Sequence, residues 1–150
     1  MGRAYPMNTS QSLARPLLAS MFVVGGIDSI RNSEGKVKAA EAVVKPLNRA
    51  VPMITSDTET LIRFNGTVQV AAGSLLAIGK LKRLAAVALI GSLIPTTYAG
   101  HRFWEETDDD RRKQQWVQFL KNLGLLGGLI LVADTRQKPA NRGRRQTAAK

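Results

Sequence analysis

Asp28, Arg63, Asn65, Gln69, His101, Lys121 and Asn122 are the side chains of this sequence best suited to moving a proton or holding a polar ligand. They stand in or beside long apolar stretches, where polar groups are costly and normally face one another or a cavity. Asn65 and Gln69 are four apart, which puts them on one face of a helix. Asp28 with Arg63 or Lys121 is the natural ion pair. His101, the one histidine, can give or take a proton near neutral pH. Structural readings compete. Arg63 and Lys121 can snorkel toward water, and Asn65 and Gln69 can be hydrogen-bond glue between helices. The residue types leave both open.

Other chemistry is excluded. The chain has no cysteine, so thiol nucleophiles, redox CxxC pairs, cysteine-ligated clusters and disulfides are absent. A single histidine rules against multi-histidine metal sites and bis-histidine haem. The run "EETDDD" (105–110) lacks the alternating spacing and glycine of a calcium loop. It reads as an exposed acidic segment paired with the following "RRK". No catalytic residue set and no resident cofactor is identifiable.

The elements that must position these residues are four charge-poor stretches. Residues 16–30 hold only Asp28, 64–79 and 84–100 hold no charge, and 116–133 hold only Lys121. Each approaches the roughly 17–25 residues of a membrane span. "LAAVALIGSLIPTTYAG" (84–100) has no wet face of the kind a soluble amphipathic helix shows. A chain of 150 residues is too small to bury four such helices on all sides. The expected fold is therefore all-α, a four-transmembrane-helix bundle over 13–133. Residues 1–12 would be a flexible leader and 134–150 a basic disordered tail. The first stretch lacks an A-x-A cleavage signal and is expected to be retained.

Charge sets the orientation. The N-terminal segment, the turn "KLKR" (80–83) and the tail carry eleven basic residues against Asp134 alone, whereas loops 31–60 and 101–115 are together neutral. The positive-inside rule places both termini in the cytoplasm, and the tail can lie on anionic lipid. Nucleic acid is disfavoured as a partner, because no aromatic residue is interleaved for stacking. With this topology all seven polar residues fall in the outer half of the bilayer and form a pocket open to the exterior.

Three further features bear on packing. Val37, Ala40, Val44 and Leu47 recur at helical spacing, predicting an amphipathic interfacial helix between the first two spans, kinked or ended by Pro46 and Pro52. Gly66 with Gly73, and Gly124 with Gly128, permit close helix approach within the bundle or between protomers. Pro95 should kink or end the third span, and Trp104 and Trp116 should anchor the outer interface.

The block "NGTVQVAAGSLLAIGKLKRLAAVALIG" (65–91), with its glycines and the turn from Leu75 to Ala86, resembles the DoxX/DoxD family of small four-helix bacterial membrane proteins. "HRFW" (101–104) is similar to that family's segment after the third span, and "ARPLLASMFVVGGIDSI" (14–30) to its first. The resemblance implies a multi-pass protein of the bacterial plasma membrane linked to redox metabolism or oxidative-stress defence. Two functions follow as expectations. One is a non-catalytic membrane subunit that scaffolds redox-protein partners. The other is a quinone- or lipid-binding protein whose outer pocket uses Asp28, Arg63 and His101. Broader four-helix redox bundles carry a CxxC that this chain lacks, so thiol-oxidase chemistry is excluded.

Overall fold

The structure, a computed structural model, describes residues 9–50 and 57–134. Most of the leader, Pro52 and the tail from 135 onward lie outside the described residues. Five α-helices follow in chain order: α1 (Thr9–Arg31), α2 (Val37–Ala50), α3 (Thr58–Ala77), α4 (Lys82–Gly100) and α5 (Asp109–Asp134). Short 3-10 turns at Glu34–Lys36 and Phe103–Glu105 introduce α2 and precede α5. No strand occurs among the described residues.

Among the described residues three stretches are long and apolar enough to cross a membrane: Gln11–Arg31, Lys82–Glu105 and Asp109–Asp134. α3 is not among them. It has the length, but Arg63, Asn65 and Gln69 lower its apolar content. Outward faces carry large apolar side chains, including Leu17, Val24, Phe64, Val87, Ile94, Val117 and Leu131. So much exposed apolar surface on every long helix is what lipid-facing helices show and what a soluble monomer avoids. α5 is the most outward, with 11% of its apolar window buried.

α1 packs on α3, α3 on α4 and α4 on α5, while α2 crosses the ends of α3 and α4. The α1–α3 seam is set by glycine. A Cβ on Gly26 would lie 2.6 Å from the Gly66 carbonyl oxygen, and one on Gly66 would lie 2.7 Å from that of Gly26. The two backbones touch, so neither position has room for a side chain. Gly73 continues the seam against Ala19 and Val23. Toward the α3–α4 turn the interior is dry, built of Ala19, Phe22, Ala72, Leu76, Ala85, Ala86, Leu89, Leu93 and Leu129.

The turn between α3 and α4 takes two left-handed residues, Gly79 (φ 76°) and Leu81 (φ 47°). The first suits glycine, which has no Cβ to clash there. Arg15 lies directly against Gly79, and Arg83 Nε donates to the Ala133 carbonyl at 3.0 Å. Basic side chains thus gather at the end of the bundle where α3 and α5 finish and α4 begins, and Arg83 satisfies a carbonyl in the last turn of α5.

Of the two outcomes expected at Pro46 and Pro95, a kink or an end, the end does not occur. α2 runs through Pro46 to Ala50, and α4 runs through Pro95 to Gly100; neither helix ends at its proline. At Pro95 the lost backbone donor is flanked by an added one, since the Thr96 hydroxyl donates to the Ser92 carbonyl at 2.7 Å. The G-x-x-x-G pair is split. A Cβ on Gly128 would meet Leu18, but one on Gly124 would meet nothing, so this motif does not form a close seam inside the protomer.

Candidate functional site

The polar residues of α3 and α4 pair across their interface in antiparallel register. Asn65 Nδ2 donates to Thr96 Oγ1 at 3.1 Å. One turn deeper, Gln69 Nε2 donates to Ser92 Oγ at 2.9 Å. A step of four along α3 meets a step of four back along α4, so the rungs stack on one face of each helix. The same register puts Ala72 level with Leu89 and Leu76 level with Ala85, all buried. On the other side of α4, Asn122 Nδ2 of α5 donates to Thr97 Oγ1 at 3.0 Å. Gln69, Ser92, Thr97 and Asn122 are all buried. Gln69 and Asn122 therefore hold helices together, the role that interhelical amides and hydroxyls take within membranes.

The expected ion pair does not form. Asp28 is held by Lys36, whose Nζ lies 2.5 Å from Oδ2, and by Asn32, whose Nδ2 donates to Oδ1 at 2.6 Å. The 3-10 turn folds back over the C-terminal end of α1 and brings Lys36 within reach. Arg63 pairs with Glu59 of its own helix at 2.7 Å, because α3 begins at Thr58 under an Asp57 cap and so contains Glu59 one turn earlier. Ser33 Oγ also donates to Glu59, at 2.9 Å. Lys121 Nζ donates to Gln118 of its own helix and is exposed. Arg63 and Asp28 have separate partners, so Arg63→Ala and Asp28→Asn should add in a double-mutant cycle to within about 0.5 kcal/mol. Thermal unfolding of the two single variants and the double in detergent measures this. The solvent-exposed Arg63–Glu59 pair itself should contribute little to stability.

A cavity of about 440 Å³ lies where α2 crosses α3 and α4. Ala40, Val44 and Leu47 form its α2 wall; Leu61, Ile62 and Asn65 come from α3; Pro95, Thr96, Ala99 and His101 come from α4 and its end; Ser29 and Lys36 complete it. The apolar stripe of α2 thus faces the bundle and roofs a cavity. Mostly apolar walls with a few converging polar groups, at this volume, are the usual form of a small-molecule site. Of the seven residues singled out from sequence, the cavity brings together Asn65 and His101, with Asp28 behind Lys36. Arg63, Gln69, Lys121 and Asn122 do not line it. Lys36, Ser29 and Thr96 were not among the seven; the inward-facing amides signalled that hydroxyl partners must exist, but which hydroxyls, and Lys36, required the fold.

His101 Nδ1 lies 2.9 Å from Gln115 Oε1. As donor to that oxygen, the neutral ring keeps Nε2 as an acceptor. Beside it Tyr98, Phe103, Trp104, Trp116 and Phe119 form a cluster of edge-on and stacked rings, the amphipathic side chains that settle at membrane interfaces. A second, nearly apolar cavity of about 250 Å³ lies between α4 and α5 above Thr97 and Asn122. The acidic run is spent on local bonds. Asp108 Oδ1 caps α5 by accepting from Arg111 N at 2.8 Å, and Glu105 and Asp109 pair with Arg102 and Arg112. No cluster of three metal-ligating side chains occurs among the described residues.

No curated protein and no solved structure matches the chain. A family model described as DoxX matches residues 10–102. That match takes in α1, the roof helix α2, α3 and α4, and so every residue lining the larger cavity. Its extent exceeds half of the sequence, and the chain belongs to the DoxX family.

Proposed function

We propose that this membrane protein binds an amphiphilic small molecule, of the quinone or lipid class, in the cavity under α2. The observation that carries the reading is that cavity: apolar walls from three helices, with Lys36, Asn65, Thr96 and His101 among them. In this reading α1, α3, α4 and α5 all span the membrane, both termini are cytoplasmic, and α2 lies at the outer interface. α3 can span despite its polar residues, because Asn65 and Gln69 turn inward to α4 and Arg63 sits near its outer end. The ligand's tail would lie on Ala40, Val44, Leu61 and Ile62, and its head among the polar groups. His101 could exchange a proton with a quinol head, but the described residues offer no second redox centre, so electrons would come from a partner.

Ala40→Phe fills the cavity from its roof without touching the α3–α4 bonds. Lipids and quinones extracted from the purified protein should include a retained species that this variant loses while still unfolding at the native temperature. Equal retention by both proteins would defeat the reading. Topology has its own check. A reporter active only in the cytoplasm should work within 80–83 and be silent at 105–112. The reverse result would move the cavity to the cytoplasmic side.

A non-catalytic subunit that scaffolds redox-protein partners is the second reading. It is favoured by the basic end formed by Arg15, Lys80, Lys82 and Arg83. Arg15 and Arg83 are engaged with the backbone there, whereas Lys80 is exposed.

A further inference from the structure

Lys36 is the cation that lines the cavity, and its surroundings define what it can receive. A lysine ammonium has three donors and no acceptor. Asp28 Oδ2 takes one at 2.5 Å and Ser29 Oγ a second at 2.9 Å, which leaves one for a ligand. The neighbouring charges are balanced: Asp28 by Lys36, and Glu59 by Arg63. The remaining polar lining, Asn65, Thr96 and His101, brings no fixed charge. A head group entering here meets a strong donor without a net positive charge. An anionic head would have to share one ammonium with Asp28, and two negative groups on one cation repel, though the 37% and 52% exposure of Lys36 and Asp28 lets surrounding solvent weaken that repulsion. An uncharged acceptor takes the free N–H and leaves the ion pair intact.

Resting on the reading of this cavity as an amphiphile site, we propose that Lys36, neutralised by Asp28, selects the ligand's head group. It favours an uncharged hydrogen-bond acceptor, such as an ester or ketone carbonyl, over a carboxylate. Asp28 acts through Lys36 and is a positioning residue. Lys36 itself touches the head.

The test uses the full chain in nanodiscs of zwitterionic lipid, with two probes that differ only at the head, methyl dodecanoate and dodecanoate. A pH of about 9 keeps the carboxylate ionised. Retained probe is measured by mass spectrometry after competition. The native protein should hold the ester measurably more tightly than the carboxylate. Lys36→Met should weaken the ester by about 10- to 100-fold, the range for loss of a hydrogen bond to a charged group. Asp28→Asn leaves the ammonium uncompensated and should reverse the order, so that the carboxylate binds better. Carboxylate preference in the native protein overturns the selection, as does an unchanged order in Asp28→Asn. If Asp28→Asn fails to fold, the native ratio and Lys36→Met decide. Binding of neither probe to the native chain overturns the cavity reading itself, a different failure from the wrong preference.

Discussion

Gly26→Val should leave no stably folded protein in detergent, while Gly124→Ala should unfold at or slightly above the native temperature. The difference lies in what each new side chain meets. At Gly26 a Cβ falls 2.6 Å from the Gly66 carbonyl oxygen and 2.9 Å from Val70 Cγ2. The first obstacle is backbone and cannot rotate away, so α1 and α3 must separate. Overpacking costs about 1–3 kcal/mol where side chains can shift; a displaced backbone seam should exceed about 3 kcal/mol. In lipid there is little hydrophobic force between helices, and close packing is a main source of association, so losing the seam loses much of what joins α1 to the bundle. Gly73→Ala should fall between, since its nearest neighbour is Val23 Cγ2 at 3.0 Å, a methyl group that can move. At Gly124 nothing lies within 4 Å, and alanine is the better helix former by about 1 kcal/mol. Thermal unfolding by circular dichroism, with size-exclusion profiles, ranks the four proteins. A Gly26→Val protein that melts like the native one would refute the seam.

These glycines show where sequence reading reaches its limit. Gly66 and Gly73 stand out as a contact pair by spacing alone, but nothing in their spacing names Gly26 as the partner. Partnership depends on which helices are neighbours. The same limit explains Gly124, whose G-x-x-x-G signal is satisfied locally by sequence and points to open space in the fold. Long apolar runs were legible because a membrane-crossing helix needs a fixed length of them. Helix starts were harder. α3 begins under Asp57 inside a polar loop, and that earlier start hands Arg63 to Glu59 instead of Asp28. α2 was visible as an amphipathic stripe, yet a stripe is equally apolar whether it meets lipid or protein. Only the fold turns Ala40, Val44 and Leu47 toward a cavity. The amides were legible as inward-facing groups, because an unpaired amide in an apolar setting is costly. Their partners, Ser92, Thr96 and Thr97, became recognisable once the antiparallel register was known.

That register supports a second large effect, at Gln69. Gln69→Lys should sharply reduce the folded yield and the unfolding temperature, whereas Gln69→Leu should be mild. Gln69 is 5% exposed, near the middle of α3, with Gly25 of α1 close on one side and Ser92 of α4 on the other. Leucine has a similar volume and removes one polar group. Ser92 can then turn its hydroxyl to its own helix, so the cost should stay near the roughly 0.6 kcal/mol average for interhelical hydrogen bonds in membranes. Lysine brings an ammonium to a place with no acid beside it. On insertion scales that costs about 2.5–3.5 kcal/mol at a helix centre, and enclosure by α1 and α4 hinders snorkelling. The register supplies a rescue. Ser92→Asp places a carboxylate opposite position 69, and in the Gln69→Lys background it should recover a large part of the lost stability. In the native background Ser92→Asp should itself be destabilising, because it leaves a buried charge unpaired. Unfolding of the two single variants and the double in detergent gives the coupling directly. If position 92 faces position 69, the double variant is more stable than either single; simple addition of two losses would show that the α3–α4 register is wrong, and the rungs that frame the cavity would fall with it.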